Sequence, residues 1–161
     1  MPPSTDKTTT VPTGIRQSAQ EPQPARVPAQ RQAPKAPQAT TMAYGPLNVP
    51  LPWHGTEIAT MEFQQISLPS HASTGWHYHH GPLLVTVHQG TLRRPLADGT
   101  VTAHPAGTSF VEPPGPSNIH TGHNPDSTTV ILWCLFLLPP GSPLSVPVQE
   151  PGTARPAAPP T

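Results

Sequence analysis

Proline is the residue that most limits how this chain can fold, because it cannot donate a backbone hydrogen bond or sit inside a regular helix. Its 27 copies are spread unevenly, with eight in residues 1–43 and eight in residues 139–161. The first segment mixes them with Gln, Ala and Thr and contains no Phe, Trp or Tyr. Such stretches bury too little apolar surface to offset the entropy lost on ordering. Residues 1–43 and 147–161 are therefore expected to be disordered tails. Between them, residues 44–146 are enough for one small domain with one core.

Inside that domain the apolar residues alternate or come in short runs, at 58–68, 83–88, 101–104, 109–111 and 128–138, each bounded by Gly, Pro, Asn or Asp. Period-two patterning of this kind marks strands with one buried face. Asp98-Gly99, set between Thr91-Leu92 and Val101-Thr102, is a strong hairpin signal. No helical repeat of any length is visible. The expected fold is all-β, a small antiparallel sandwich or closed barrel.

Charge narrows the list of partners. Five of the eight basic residues (Lys7, Arg16, Arg26, Arg31 and Lys35) lie in the first tail. The domain itself sets only Arg93 and Arg94 against Glu57, Glu62, Asp98, Glu112 and Asp126. A nucleic-acid surface needs clustered cations, and none is present, so no nucleic-acid partner is expected. The longest apolar run, residues 130–138, is far short of the roughly 20 residues a membrane helix needs, so no membrane association is expected either. The first residues lack the charged start and apolar run of a secretory signal, and the expected location is the cytoplasm. The single cysteine, Cys134, stands in the run Val-Ile-Leu-Trp-Cys-Leu-Phe-Leu-Leu and is expected to pack as a small buried apolar group.

The chemistry is carried by Gly75-Trp76-His77-Tyr78-His79-His80-Gly81-Pro82. On a strand, His77 and His79 share a face while Tyr78 points away, so two imidazoles aim at one point. Neutral imidazole is the commonest protein ligand for divalent metals. A third appears downstream in Pro113-Pro114-Gly115-Pro116-Ser117-Asn118-Ile119-His120, followed by Asn124.

With these residues the chain resembles the cupin superfamily across about residues 57–140. His77-x-His79 and Gly90 follow the order of the first cupin motif. Gly107, Pro113-Pro114-Gly115, His120 and Asn124 follow the second, with two extra residues before the histidine. The resemblance implies a small single-domain jelly-roll barrel with His77, His79 and His120 as metal ligands. The carboxylate ligand of the first motif would stand at Leu83, which cannot bind a metal. A three-histidine site would result, similar to cupins that bind ferrous iron and activate dioxygen. Its neutral shell would leave the ion its full charge and favour an anionic or enolate substrate.

Glu112 is the only carboxylate near the second motif. It is a candidate for the missing ligand, reaching in from the neighbouring strand, or for a catalytic base, and parity places it on the same face as Phe110. His80 and His123 have outward parity, and His54, His71, His88 and His104 read as surface or turn histidines. Phe63, Leu83, Val85, Phe110 and Trp133 are expected to wall a mostly apolar cavity.

Three functions follow from the resemblance. The first is a mononuclear metal-dependent enzyme, a dioxygenase or other oxidoreductase, acting on a small chelating organic substrate with Fe(II). The second is a non-redox isomerase or cyclase using Zn, Mn or Ni. The third is a binding barrel without catalysis. A homodimer is expected, because residues 130–138 would otherwise expose a large apolar surface.

Overall fold

The computed structural model describes residues 35–152. The rest of the two expected tails lies outside the described residues. Nine strands follow in order: β1 (Gln38–Trp53), β2 (Thr56–Leu68), β3 (His77–Tyr78), β4 (Leu83–Gln89), β5 (Thr91–Pro95), β6 (Val101–Pro105), β7 (Ser109–Glu112), β8 (Val130–Leu138) and β9 (Val146–Pro147), with one 3-10 turn at Pro116–Asn118. A five-stranded sheet runs β1-β2-β8-β4-β7, and β3-β9 and β5-β6 form two short ribbons. All strand pairs are antiparallel.

The five apolar segments expected from period-two patterning became β2, β4, β6, β7 and β8. The hairpin at Asp98-Gly99 joins β5 to β6, and the Leu96 amide bonds the Thr100 carbonyl to close it. Strand β1 has no such signature, because it is an edge strand and almost wholly exposed. Its prolines at 46, 50 and 52 are tolerated there because an edge leaves one row of amides without a ladder partner. The pairing with β2 slips between Pro46 and Leu51. Since β1 begins at Gln38, residues 38–43 belong to the sheet and not to the expected first tail. Pro147 likewise pairs with His77 in β9 and does not begin a tail.

Burial alternates along β4 and β8. Leu83, Val85 and Val87 face Leu132, Cys134 and Phe136 in one core with Leu68 and Leu92. The other face carries an apolar row in register across all five strands: Val111, Leu84, Leu135, Phe63 and Ala43. Trp133 lies on this outer face too, 40% exposed, with His88 stacked on it at 4.5 Å. Phe63 and Trp133 were expected as cavity walls. Their neighbours Gln64 and Cys134 take the inner positions instead, and a pleat admits only one of each pair.

Asn124 ties the loops behind the site. Fully buried, its amide donates to the carbonyls of Leu68, Pro69 and Thr128 at 2.9–3.0 Å, and its oxygen accepts from the Asp126 amide. Among the described residues no helix is long and apolar enough to cross a membrane.

Candidate metal centre

Three backbone arrangements bring the functional side chains together. His77 and His120 exchange both backbone hydrogen bonds, at 2.9 and 3.0 Å, which fixes their side chains as cross-strand neighbours. His79, one pleat beyond His77, shares its face, and its carbonyl accepts from the Gly115 amide at 2.7 Å. Glu112, the last residue of β7, sits directly across from Leu83 of β4. Cross-strand partners project to the same face, so β7 supplies the carboxylate that Leu83 cannot. One donor atom from each of His77, His79, Glu112 and His120 lies within 4.8 Å of the others.

Backbone carbonyls hold the Nδ1 side of each imidazole. Nδ1 of His77 meets the Gly75 carbonyl at 2.9 Å, Nδ1 of His79 meets that of Leu144 at 2.6 Å, and Nδ1 of His120 meets that of Asn118 at 2.8 Å. A carbonyl only accepts, so all three Nδ1 atoms are the donors, and it is the Nε2 side of each ring that is left for the cluster. Fixing the tautomer through the second nitrogen is how proteins prepare histidine for a metal. His120 Nε2 is buried and lies 2.8 Å from Glu112 Oε2, yet it is not aligned for a hydrogen bond with any group. A buried lone pair beside a carboxylate calls for a cation between them. The four residues therefore fit a divalent ion, and their donor set, three imidazole nitrogens and a carboxylate, suits first-row transition metals.

Electrostatics agree with this assignment. Burial alone would raise the pKa of Glu112, but its contacts with His120 and His79 outweigh that and hold the carboxyl well below its usual range. It is therefore ionised. Burial, reinforced by the nearby His120 and His79, lowers the pKa of His77 to about 4 against the opposing bond to Gly75, so its ring is neutral near pH 7. The other oxygen of Glu112, Oε1, accepts from Nε of Arg94 at 3.1 Å. Arg94 is 8% exposed, and its guanidinium lies 5.6 Å from the centre of the Phe110 ring. Nothing in the spacing of Arg93-Arg94 marks the second as part of the site. The one available signal was strand parity, which buries Arg94 beside Leu92.

The structure thus brings together all four residues singled out in the sequence, and it adds Arg94. His80 is exposed and packs edge-on to Tyr78 at 5.5 Å. His123 uses its backbone to bridge Arg93 and stands outside the cluster. His104 stacks on Phe110 at 3.9 Å, and His54 and His71 occupy positive-φ turns.

The cluster opens into a cavity of about 560 Å³ walled by Leu83, Val85, Leu92, Leu132, Cys134 and Phe136, among others. Leu83 and Val85 stand where they were expected, and Phe110 does not line the cavity. Both ribbons and the inner face of the sheet contribute to this wall. Cys134 is 1% exposed, and burial, with Glu112 nearby, raises its thiol pKa to about 12. It packs as an inert apolar group, as its setting in the sequence suggested.

The segment after β8 has a direct part in the site. The Leu144 carbonyl holds His79, β9 pairs with β3, and the Val148 amide bonds the Trp76 carbonyl at 2.9 Å. Ending the chain after Pro143 is expected to weaken metal binding by about 10- to 100-fold. Ending it after Gly152 should leave binding unchanged. Metal titrations of the two truncated proteins would check this, and equal affinities would show that the segment does not orient His79.

A small antiparallel barrel with three histidines and a glutamate at one end of its cavity is the class that this fold and site define. Solved structures place it further. A cupin domain from Bordetella pertussis Tohama I is similar over 66% of this chain and 98% of its own, at 18% identity and a TM-score of 0.50. A cupin 2 conserved barrel domain protein from Salinispora arenicola CNS-205 is similar over 62% of this chain and 73% of its own, at 20% identity and a TM-score of 0.47. No family model matches the sequence, and no curated protein matches it. The fold of the described residues is that of a small cupin domain.

Proposed function

We propose that the protein is a mononuclear metal-dependent enzyme, a dioxygenase or other oxidoreductase, that acts on a small chelating organic substrate. The observation that carries this reading is the convergence of three imidazoles and one carboxylate, with donor atoms within 4.8 Å of one another, on the wall of a mostly apolar cavity. His77, His79, His120 and Glu112 would hold the ion, and Fe(II) is our assignment for a nitrogen-rich donor set of this kind. When bound, such an ion supplies redox chemistry toward dioxygen and a Lewis-acid anchor for substrate oxygens. The protein's own contribution is a mostly apolar cavity. Its apolar walls hold the body of the substrate and exclude water, while the histidines stay fixed through their Nδ1 bonds.

The test is elemental analysis of the purified protein beside a His77→Ala/His120→Ala double variant. Near-stoichiometric iron in the wild type and its loss in the variant are expected, followed by oxygen uptake with chelating substrates. Zinc, manganese or nickel in place of iron would favour an isomerase or cyclase. Metal equally absent from both proteins would overturn the reading and leave a non-catalytic binding barrel.

We also propose a homodimer, paired through the outer face of the sheet. Val111, Leu84, Leu135, Phe63 and Ala43 form a continuous apolar row there, with Trp133 exposed beside it. Light scattering should give twice the chain mass of 17.1 kDa. A Leu84→Glu/Trp133→Glu variant should run as a monomer, and a monomeric wild type would refute the pairing.

A further inference from the structure

We propose that Arg94 sets the charge of the metal centre, and so makes it a receptor for an organic anion despite its glutamate ligand. The inference rests on the metal-binding reading above and identifies the substrate class of that same site. Three neutral imidazoles alone would leave a bound divalent ion with two positive charges. Glu112 removes one of them, and an anionic substrate would then face a weaker attraction. Arg94 restores it. Its Nε donates to Glu112 Oε1 at 3.1 Å, both side chains are almost wholly buried, and a guanidinium is always protonated. The ligand shell together with Arg94 is electrically neutral.

The same contact divides the labour of the carboxylate. Oε1 is held by Arg94, while Oε2 alone turns toward His79 and His120, at 3.1 and 2.8 Å. Arg94 is thus a positioning residue that fixes which oxygen faces the cluster. Its own place is set by Phe110, over whose ring the guanidinium lies, and by His104 stacked against that ring. Among the described residues that line the cavity there is no Lys or Arg, so none of them offers an entering anionic group a side-chain cation to pair with. Its counter-charge must come from the occupied centre. The ligand that fits is a small molecule with an apolar body and a chelating carboxylate, enolate or phenolate end.

The charge argument predicts opposite effects on two affinities, which a purely structural role would not produce. Cobalt(II) binding is read from its visible absorption, and 4-nitrocatechol is then titrated into the cobalt-loaded protein. Arg94→Gln should bind cobalt about tenfold more tightly and the catecholate about tenfold more weakly. Arg94→Lys, which keeps the charge, should stay close to wild type in catecholate affinity. Glu112→Gln should do the reverse of Arg94→Gln, losing cobalt affinity and gaining catecholate affinity. If Arg94→Gln does not fold, the Arg94→Lys and Glu112→Gln results decide. Arg94→Gln weakening both affinities, or Glu112→Gln leaving the catecholate unaffected, would overturn the charge assignment while the metal site stands. A wild-type protein that binds no cobalt would overturn the metal reading itself.

Discussion

Gly81→Ala should cost the protein more than about 4 kcal/mol of stability, or prevent folding altogether. Gly81 is buried between His79 and the start of β4, where the chain runs against the end of β8. A Cβ at this position would run into the carbonyl oxygen of Leu137, and it would also lie 2.9 Å from the Leu137 carbonyl carbon and from Cδ of Pro139. None of these atoms is the free end of a flexible side chain. Leu137 is held on one side by its pairing with Met61 and on the other by its amide bond to the Pro82 carbonyl at 3.1 Å. The strand cannot retreat without breaking the ladder, and strain of that size has no cheap outlet in a close-packed interior. Gly45→Ala is the control, since its Cβ would meet nothing within 4 Å and should change stability by less than about 0.5 kcal/mol. Urea unfolding of the two variants separates the cases, and a Gly81→Ala protein within about 1 kcal/mol of wild type would show that the close approach is absent.

This glycine also shows where the sequence was legible and where it was not. The strands that bury one face could be read directly, because burial imposes a period of two on the residues themselves, as in Leu83-Leu84-Val85-Thr86-Val87. The histidines were legible for the same reason, since alternation alone places His77 and His79 on one face. Strand β1 was not legible. It pairs only with β2, exposes nearly all of its side chains, and so carries no pattern for burial to leave. Parity says that Phe63 and Trp133 alternate with their neighbours but not which set faces the cavity, and both lie on the outer face. The partners that come from far away in the chain were also out of reach. The Leu144 carbonyl on His79 spans 65 positions, and Arg94 on Glu112 spans 18. Local pattern carries no record of either pairing.

Glu112→Leu should weaken metal binding by at least about a hundredfold and destabilise the metal-free protein by about 3–5 kcal/mol. The two losses have different causes. Affinity falls because the only carboxylate of the cluster among the described residues is gone and the three imidazoles carry no negative charge. Stability falls because Arg94 stays buried with no carboxylate on its Nε, and a buried cation stripped of its partner is costly. The register allows the two causes to be separated. Leu83 lies directly across from Glu112, and on one face of an antiparallel pair such partners have Cβ atoms about 4.5–5.5 Å apart. A Leu83→Glu/Glu112→Leu exchange therefore returns a carboxylate to the same face from the other strand, at the position the cupin motif uses. It should regain at least tenfold of the lost metal affinity. The lost stability should not return in full, because the bond to Arg94 was made from β7. Metal titration and denaturant unfolding of the single and exchanged variants measure the two quantities independently. An exchange that binds metal no better than Glu112→Leu would mean that the two strands are not interchangeable sources of the ligand.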